Sequence, residues 1–95
     1  MTTINPKSTF KLHAEVIKKT IEGATYLFDP RKGHLHTLNA TSEFIVNQMI
    51  SGSNFANIVT ALTQEFDIDT KTAYKDAKQF LQKLIRFDVI LPQSN

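Results

Sequence analysis

No cysteine occurs in the chain. Disulfides, thiolate nucleophiles and cysteine-held zinc are removed together, and the composition suits a reducing cytoplasm. Long apolar runs are missing as well. No stretch nears the roughly 18 residues of a membrane span. MTTINPKSTFKLHAEV lacks the continuous apolar region of a secretory signal. The expectation is a soluble, cytoplasmic protein with no membrane partner. Catalytic patterns are absent too: there is no G-x-S-x-G, no P-loop and no dinucleotide-binding glycine pattern. Nor do paired carboxylates stand at helical spacing on a buried face, as glycoside hydrolysis would need. The chain is read as a non-enzyme, with no catalytic residues and no cofactor.

What is present fits one small domain. Ninety-five residues, 41% apolar and 21% charged, bury roughly 60–65% of the unfolded surface. That leaves a modest core and no room for a large active-site cavity. The net charge is only +2, but it is unevenly placed. Ala40 to Thr70 holds four acids and no Lys or Arg, whereas Lys71 to Asp88 holds five bases against Asp76 and Asp88. Such a basic segment is either a solvated helix face or a surface for an anionic partner.

Residues 1–9 are polar and set aside as a flexible N-terminus, 92–95 as a flexible C-terminus, and 10–91 as the domain. From Phe10 to Asn39 the texture is that of strands. Glu22-Gly23 marks a turn after EVIKKTI. ATYLFD then alternates, with Tyr26 and Phe28 on one face and Leu27 on the other. In DPRKG, Asp29 opens a turn, Pro30 presets φ and Gly33 supplies a positive φ for re-entry. HLHTL returns as the partner strand of a hairpin.

After Leu38 the period changes from two to about 3.6. Asn39 caps a helix over Ala40 to about Ile50, with Phe44, Ile45 and Met49 inward. Gly52 ends it, and Ser53 or Asn54 starts a second helix to about Phe66 with a Phe55, Ile58, Val59, Leu62, Phe66 stripe. Asp69 or Thr70 caps a third, reaching about Phe87, and VILPQSN closes as a short extended tail. The fold class is α+β: a three-stranded antiparallel sheet followed by three helices, in winged helix-turn-helix style.

Two features carry candidate function. His34 and His36, two apart on one strand face, could supply two metal ligands. No partner ligands stand nearby, since nothing fixes His13 beside them and cysteine is absent, so no metal site is assigned. The third helix shows a wide apolar surface. Ala73, Ala77, Phe80 and Leu84 face the core on a helical wheel. Tyr74, Leu81 and Ile85 form a shoulder beside them, rimmed by Lys71, Lys75, Lys78, Gln82 and Arg86. The shoulder either caps the core or walls a groove for a partner that is apolar at a few anchors and acidic elsewhere.

From about Glu22 to Leu91 the chain resembles the PqqD-like family, the small protein D of coenzyme PQQ biosynthesis and related recognition elements for ribosomally made, modified (RiPP) precursor peptides. The resemblance is carried by YLFDPRKGHLHTLNATSEFI, by SGSNFANIVTALTQEF, and by DAKQFLQKLIRFDVIL with Asp76, Ala77, Phe80, Leu81, Leu84, Val89 and Ile90 matching. Two residues depart: Asp88 stands where many relatives have Gly, and Ser42 where Gly or Ala is frequent. The resemblance implies a non-catalytic module that takes the leader segment of a precursor peptide as an added strand. It then presents that segment to a radical SAM enzyme, another modifying enzyme or a leader peptidase. Carried onto this sequence, the receiving edge is His34, Leu35, His36, Thr37 and Leu38. The groove wall is Tyr74, Lys78, Leu81 and Ile85, with Lys71 and Lys75 as anionic contacts. HLHTL would then matter for its backbone more than for its imidazoles.

Two rivals remain. A winged-helix protein can bind DNA, and a pI of about 9.0 with the Lys71/Lys75/Lys78/Arg86 strip keeps that alternative open. Few side chains there suit bidentate base contacts, so nucleic acid is disfavoured. A homodimer pairing its free strand edges is the other.

Overall fold

Two hairpin turns and three helix caps set the chain's path. The computed structural model describes residues 4–93. In it, β1 (Thr9–Leu12) precedes a meander of β2 (Ile17–Ile21), β3 (Ala24–Asp29) and β4 (His34–Leu38). Glu22 and Gly23 both take positive φ, 52° and 83°, as a two-residue turn of matching twist requires. At the next turn, the Asp29 carboxylate accepts the Arg31 backbone N–H at 3.0 Å, and Gly33 re-enters at φ 68°. β3 carries the pleat's alternation: Thr25, Leu27 and Asp29 point inward and are buried, while Ala24, Tyr26 and Phe28 are half-exposed.

Three helices follow: α1 (Ala40–Ile50), α2 (Phe55–Phe66) and α3 (Thr70–Arg86). Asn39 caps α1 in a reciprocal box with Ser42, each side chain accepting the other's backbone N–H at 2.8 Å. Asn54 and Asp69 cap the next two through Asn57 and Thr72. The α1 face is Ile45, Val46 and Met49, with Phe44 set edge-on to Phe66 rather than fully inside. Among the described residues no helix is long and apolar enough to cross a membrane.

The end of α3 is closed by a Schellman pattern. The Asp88 N–H donates to the Ile85 carbonyl and the Val89 N–H to the Leu84 carbonyl, both at 2.9 Å. Asp88 takes the left-handed position at φ 61°, where glycine is usual. The β3–β4 turn supports it. Arg31 grips Asp29 at 2.8 and 2.9 Å, then reaches the Asp88 carboxylate at 3.2 Å and its carbonyl at 2.8 Å. Lys32 donates to the Phe87 carbonyl at 2.7 Å.

Two sequence expectations change. The tail is no loose extension: β5 (Ile90–Gln93) pairs antiparallel with β1, Leu12 opposite Ile90 and Phe10 opposite Pro92. The sheet of three is therefore joined by a separate two-stranded ribbon. Residues 4–9, expected to be flexible, are packed. Ile4 belongs to the core, and the carbonyls of Pro6 and Ser8 accept N–H groups from the first turn of α2 at 3.0 and 2.8 Å. Those donors have no partner within the helix. Residues 4–9 and 92–93 thus join the expected 10–91 in the fold; residues 1–3 and 94–95 lie outside the described residues.

The Asp29 side chain is buried, and the Arg31 guanidinium holds its carboxyl down at about 2. Unfolded, the group titrates near 3.9, so its contribution to stability is complete above that pH and is lost as pH falls toward 2. Denaturant midpoints measured between pH 5 and pH 2 should fall along this window. Arg31→Ala should lower the midpoint at neutral pH and flatten the acid limb, because it leaves the carboxylate without its countercharge.

Candidate functional site

The residues of HLHTL divide between two faces and a free edge. β4 pairs with β3 on one side, Leu38 opposite Thr25 and His34 opposite Asp29. Among the described residues its other side carries no strand. An edge strand of this kind offers N–H and C=O groups to an incoming chain. The far edge of the sheet, on β2, also carries no further strand among the described residues, but β2 presents Lys18 and Lys19 at its middle, and Lys18 is tied to Asn47 Oδ1 at 2.6 Å. Lysines of that kind discourage pairing.

His34 and His36 lie on the inner face of β4, against Phe87. Their ring centroids stand 6.0 and 5.5 Å from the Phe87 ring and 6.1 Å from each other. Burial, followed by His34 and Lys83, pushes the His36 imidazole below its ordinary range, with Asp29 opposing. Its Nε2 is buried, with no hydrogen-bond partner among the described residues. No group of three His, Cys, Asp or Glu side chains converges as a metal site among the described residues.

Just past the end of β4, from Asn39 onward, opens a groove of about 380 Å³. One wall is the start of α1, with Asn39, Thr41, Ser42 and Ile45; the other is α3, with Asp76, Gln79, Phe80 and Lys83. A single residue, Asn39, separates β4 from α1, so the α1 wall begins where the strand edge ends. Phe80 and Ile45 give the groove an apolar floor, and the rest of its lining is polar or charged.

This is the shoulder of α3 opposite to the one the sequence suggests. Leu81 is fully buried, in line with Ala73, Ala77 and Leu84, and Phe80 instead is half-exposed toward the groove. At about 100° per residue, Asp76, Phe80 and Lys83 fall on one side of that buried line and Tyr74, Lys78 and Ile85 on the other. Tyr74 packs edge-on against Phe55 at the start of α2, 5.3 Å between centroids, and Lys78 lies 5.6 Å over the Tyr74 ring. Ile85 packs against the core. Lys71 and Lys75 are exposed on that same far side. The wheel showed the width of the apolar surface but not which flank meets β4. The adjacency of β4 and α1 in sequence was the available signal, since it puts Asn39 and Ser42 beside the edge.

The sheet's outer face holds one more feature. Ile17, Phe28 and Leu35 stand in register across β2, β3 and β4. Ile17 is 47% and Leu35 58% exposed, so the row is open to solvent.

A family model described as coenzyme PQQ synthesis protein D (PqqD) matches residues 25–90. The chain belongs to the PqqD family. No curated protein sequence matches it. Two solved structures share the fold. One, a lasso peptide synthetase B1 complexed with the leader peptide, has a TM-score of 0.81 and 26% identity, and the match covers 87% of this chain and 98% of that one. The other, TbiB1 in complex with the TbiA(beta) leader peptide, has a TM-score of 0.79 and 22% identity, covering 90% and 99%. The mixed α+β fold expected from the sequence, an antiparallel sheet with three helices, is the fold of these neighbours.

The two shoulders of α3 can be told apart by stability. Leu81→Ala should cost about 2–5 kcal/mol, as truncation in a filled core does. Tyr74→Ala should cost less, because Tyr74 is 44% exposed. Urea denaturation of both variants gives the ranking, and the reverse order would return Leu81 to the surface.

Proposed function

We propose that this protein is a non-catalytic carrier of a precursor peptide's leader segment. The leader adds as a strand to the free edge of β4, and the carrier presents it to a modifying enzyme or leader peptidase. The observation that carries the reading is the open edge His34–Leu38, which leads through Asn39 into a groove between α1 and α3. It occurs in a PqqD-family chain whose structural neighbour at 26% identity is a lasso peptide synthetase B1 complexed with a leader peptide. Strand addition draws affinity from backbone hydrogen bonds and specificity from alternate side chains entering pockets. Here the backbone partner is His34 to Leu38, and the pocket lining is Ile45, Asp76, Gln79, Phe80 and Lys83. We place Lys71, Tyr74, Lys75 and Lys78 outside the contact, because they stand on the other flank of α3.

Presentation to a second protein is supported by the outer face. An added strand leaves every other side chain pointing outward, next to the open row Ile17, Phe28, Leu35.

Proline at Leu35 or Thr37 should abolish binding of a leader peptide while the rest of the amide spectrum stays dispersed, because proline cannot donate to a ladder. Charge reversal at Lys75 and Lys78 should leave peptide affinity within about twofold, as exposed charges away from a contact do. A proton–nitrogen NMR titration checks both: shifts should gather on His34–Leu38 and on Asp76–Lys83. Raising salt separates this reading from DNA binding, which loses several decades of affinity as counterions are restored.

A further inference from the structure

The groove's charges are ordered along its length. On the α3 wall, Asp76 lies about three turns of helix before Phe87, and so away from the histidines that the Phe87 ring meets. Lys83 lies one turn before Phe87, whose N–H donates to the Lys83 carbonyl at 3.0 Å and whose ring meets both histidines. Among the described residues neither side chain has a hydrogen-bond or ion-pair partner. The other charges nearby are already engaged. Asp29 and Asp88 share Arg31, Lys32 holds the Phe87 carbonyl, and Glu43 takes the Thr25 hydroxyl at 2.6 Å. One acid and one base are therefore left facing the space that an added strand would fill. Seven residues of helix separate them by about 10 Å. Side chains on one face of a strand recur at about 7 and 13 Å, two and four residues apart, and flexible Lys and Glu side chains bridge the remainder.

We infer that Asp76 and Lys83 fix the polarity of the bound segment: the groove takes an extended peptide carrying a basic residue at the Asp76 end and an acidic residue two or four positions away at the histidine end. Antiparallel addition, the slightly more stable arrangement, puts the basic residue on the peptide's N-terminal side. Both contacts are made by charges that the fold leaves unused. The inference rests on β4 as the peptide seat and adds to it a rule of charge order.

The probes are short capped peptides of alternating Thr and Val with one Lys and one Glu. They are made in pairs that differ only in whether Lys or Glu comes first, at spacings of two and of four. Affinity and amide shifts are measured at low salt. In at least one pair the Lys-first peptide should bind about fivefold to tenfold more tightly, since two charge contacts turn from attraction to repulsion in its twin. The preference should shrink at about 1 M salt, where screening reaches only about 3 Å. The double variant Asp76→Lys, Lys83→Asp should invert the preference, and Lys83→Gln alone should narrow it. Equal affinities with shifts still on His34–Leu38, or a Glu-first preference, would overturn the charge rule and leave the strand seat standing. No shifts on β4 with any of the peptides at millimolar concentration would overturn the seat, and the rule with it.

Discussion

The bidentate pair between Arg31 and Asp29, extended to Asp88, is the contact on which the site depends. It joins the β3–β4 turn to the end of α3, 57 residues further along the chain. Asp29 ends β3, Arg31 lies in the turn before β4, and Asp88 follows the last turn of α3. Fixing that turn to the helix end fixes where β4 starts relative to α3, and so sets the separation between strand edge and helix flank. A buried carboxylate with its guanidinium is a poor stabiliser compared with an apolar contact of equal size, but it admits few alternative geometries. Lys32 on the Phe87 carbonyl and the two histidine rings on Phe87 hold the same corner.

From that corner the groove follows with little further machinery. The strand supplies a row of backbone donors and acceptors, each worth about 1 kcal/mol net when paired. Because the sheet is already formed, an incoming segment meets them without ordering cost on the protein's side. On the proposed reading, selectivity falls to a few side chains: Phe80 and Ile45 as floor, with charged and amide groups along the rim. A domain this small needs no enclosed cavity to recognise a chain.

The parts legible in the sequence were those with local physical chemistry. Glu22-Gly23, Asp29 to Gly33, Asn39, Asp69 and the apolar stripe of α2 each carry their geometry in neighbouring residues, and the structure has them as turns, caps and stripe. The resemblance to the PqqD family stands on the same motifs. What escaped was non-local. β1 and β5 are four residues each, lie near opposite ends of the chain, and include Pro92, so neither announces a partner. Packing of Ile4 beneath α2 has no local marker either. On α3, Phe80 and Leu81 are adjacent and equally apolar. Which of them turns inward is decided by the side on which β4 and α1 arrive, and no period within the helix encodes that. Asp88 shows the reverse case, since its left-handed backbone follows from the helix closure and from Arg31 waiting above it.

The pleat of β4 has a consequence for any chain laid against it. Odd and even residues of the guest would live under separate rules. One set would face Phe80, Asp76 and Lys83 and would govern how firmly the guest is held. The other set would lengthen the row that runs from Ile17 through Phe28 to Leu35 and would be all that a third molecule could touch. A substitution in the guest could therefore change retention without changing handover, or handover without retention, and the two traits could drift apart at neighbouring positions of one short segment.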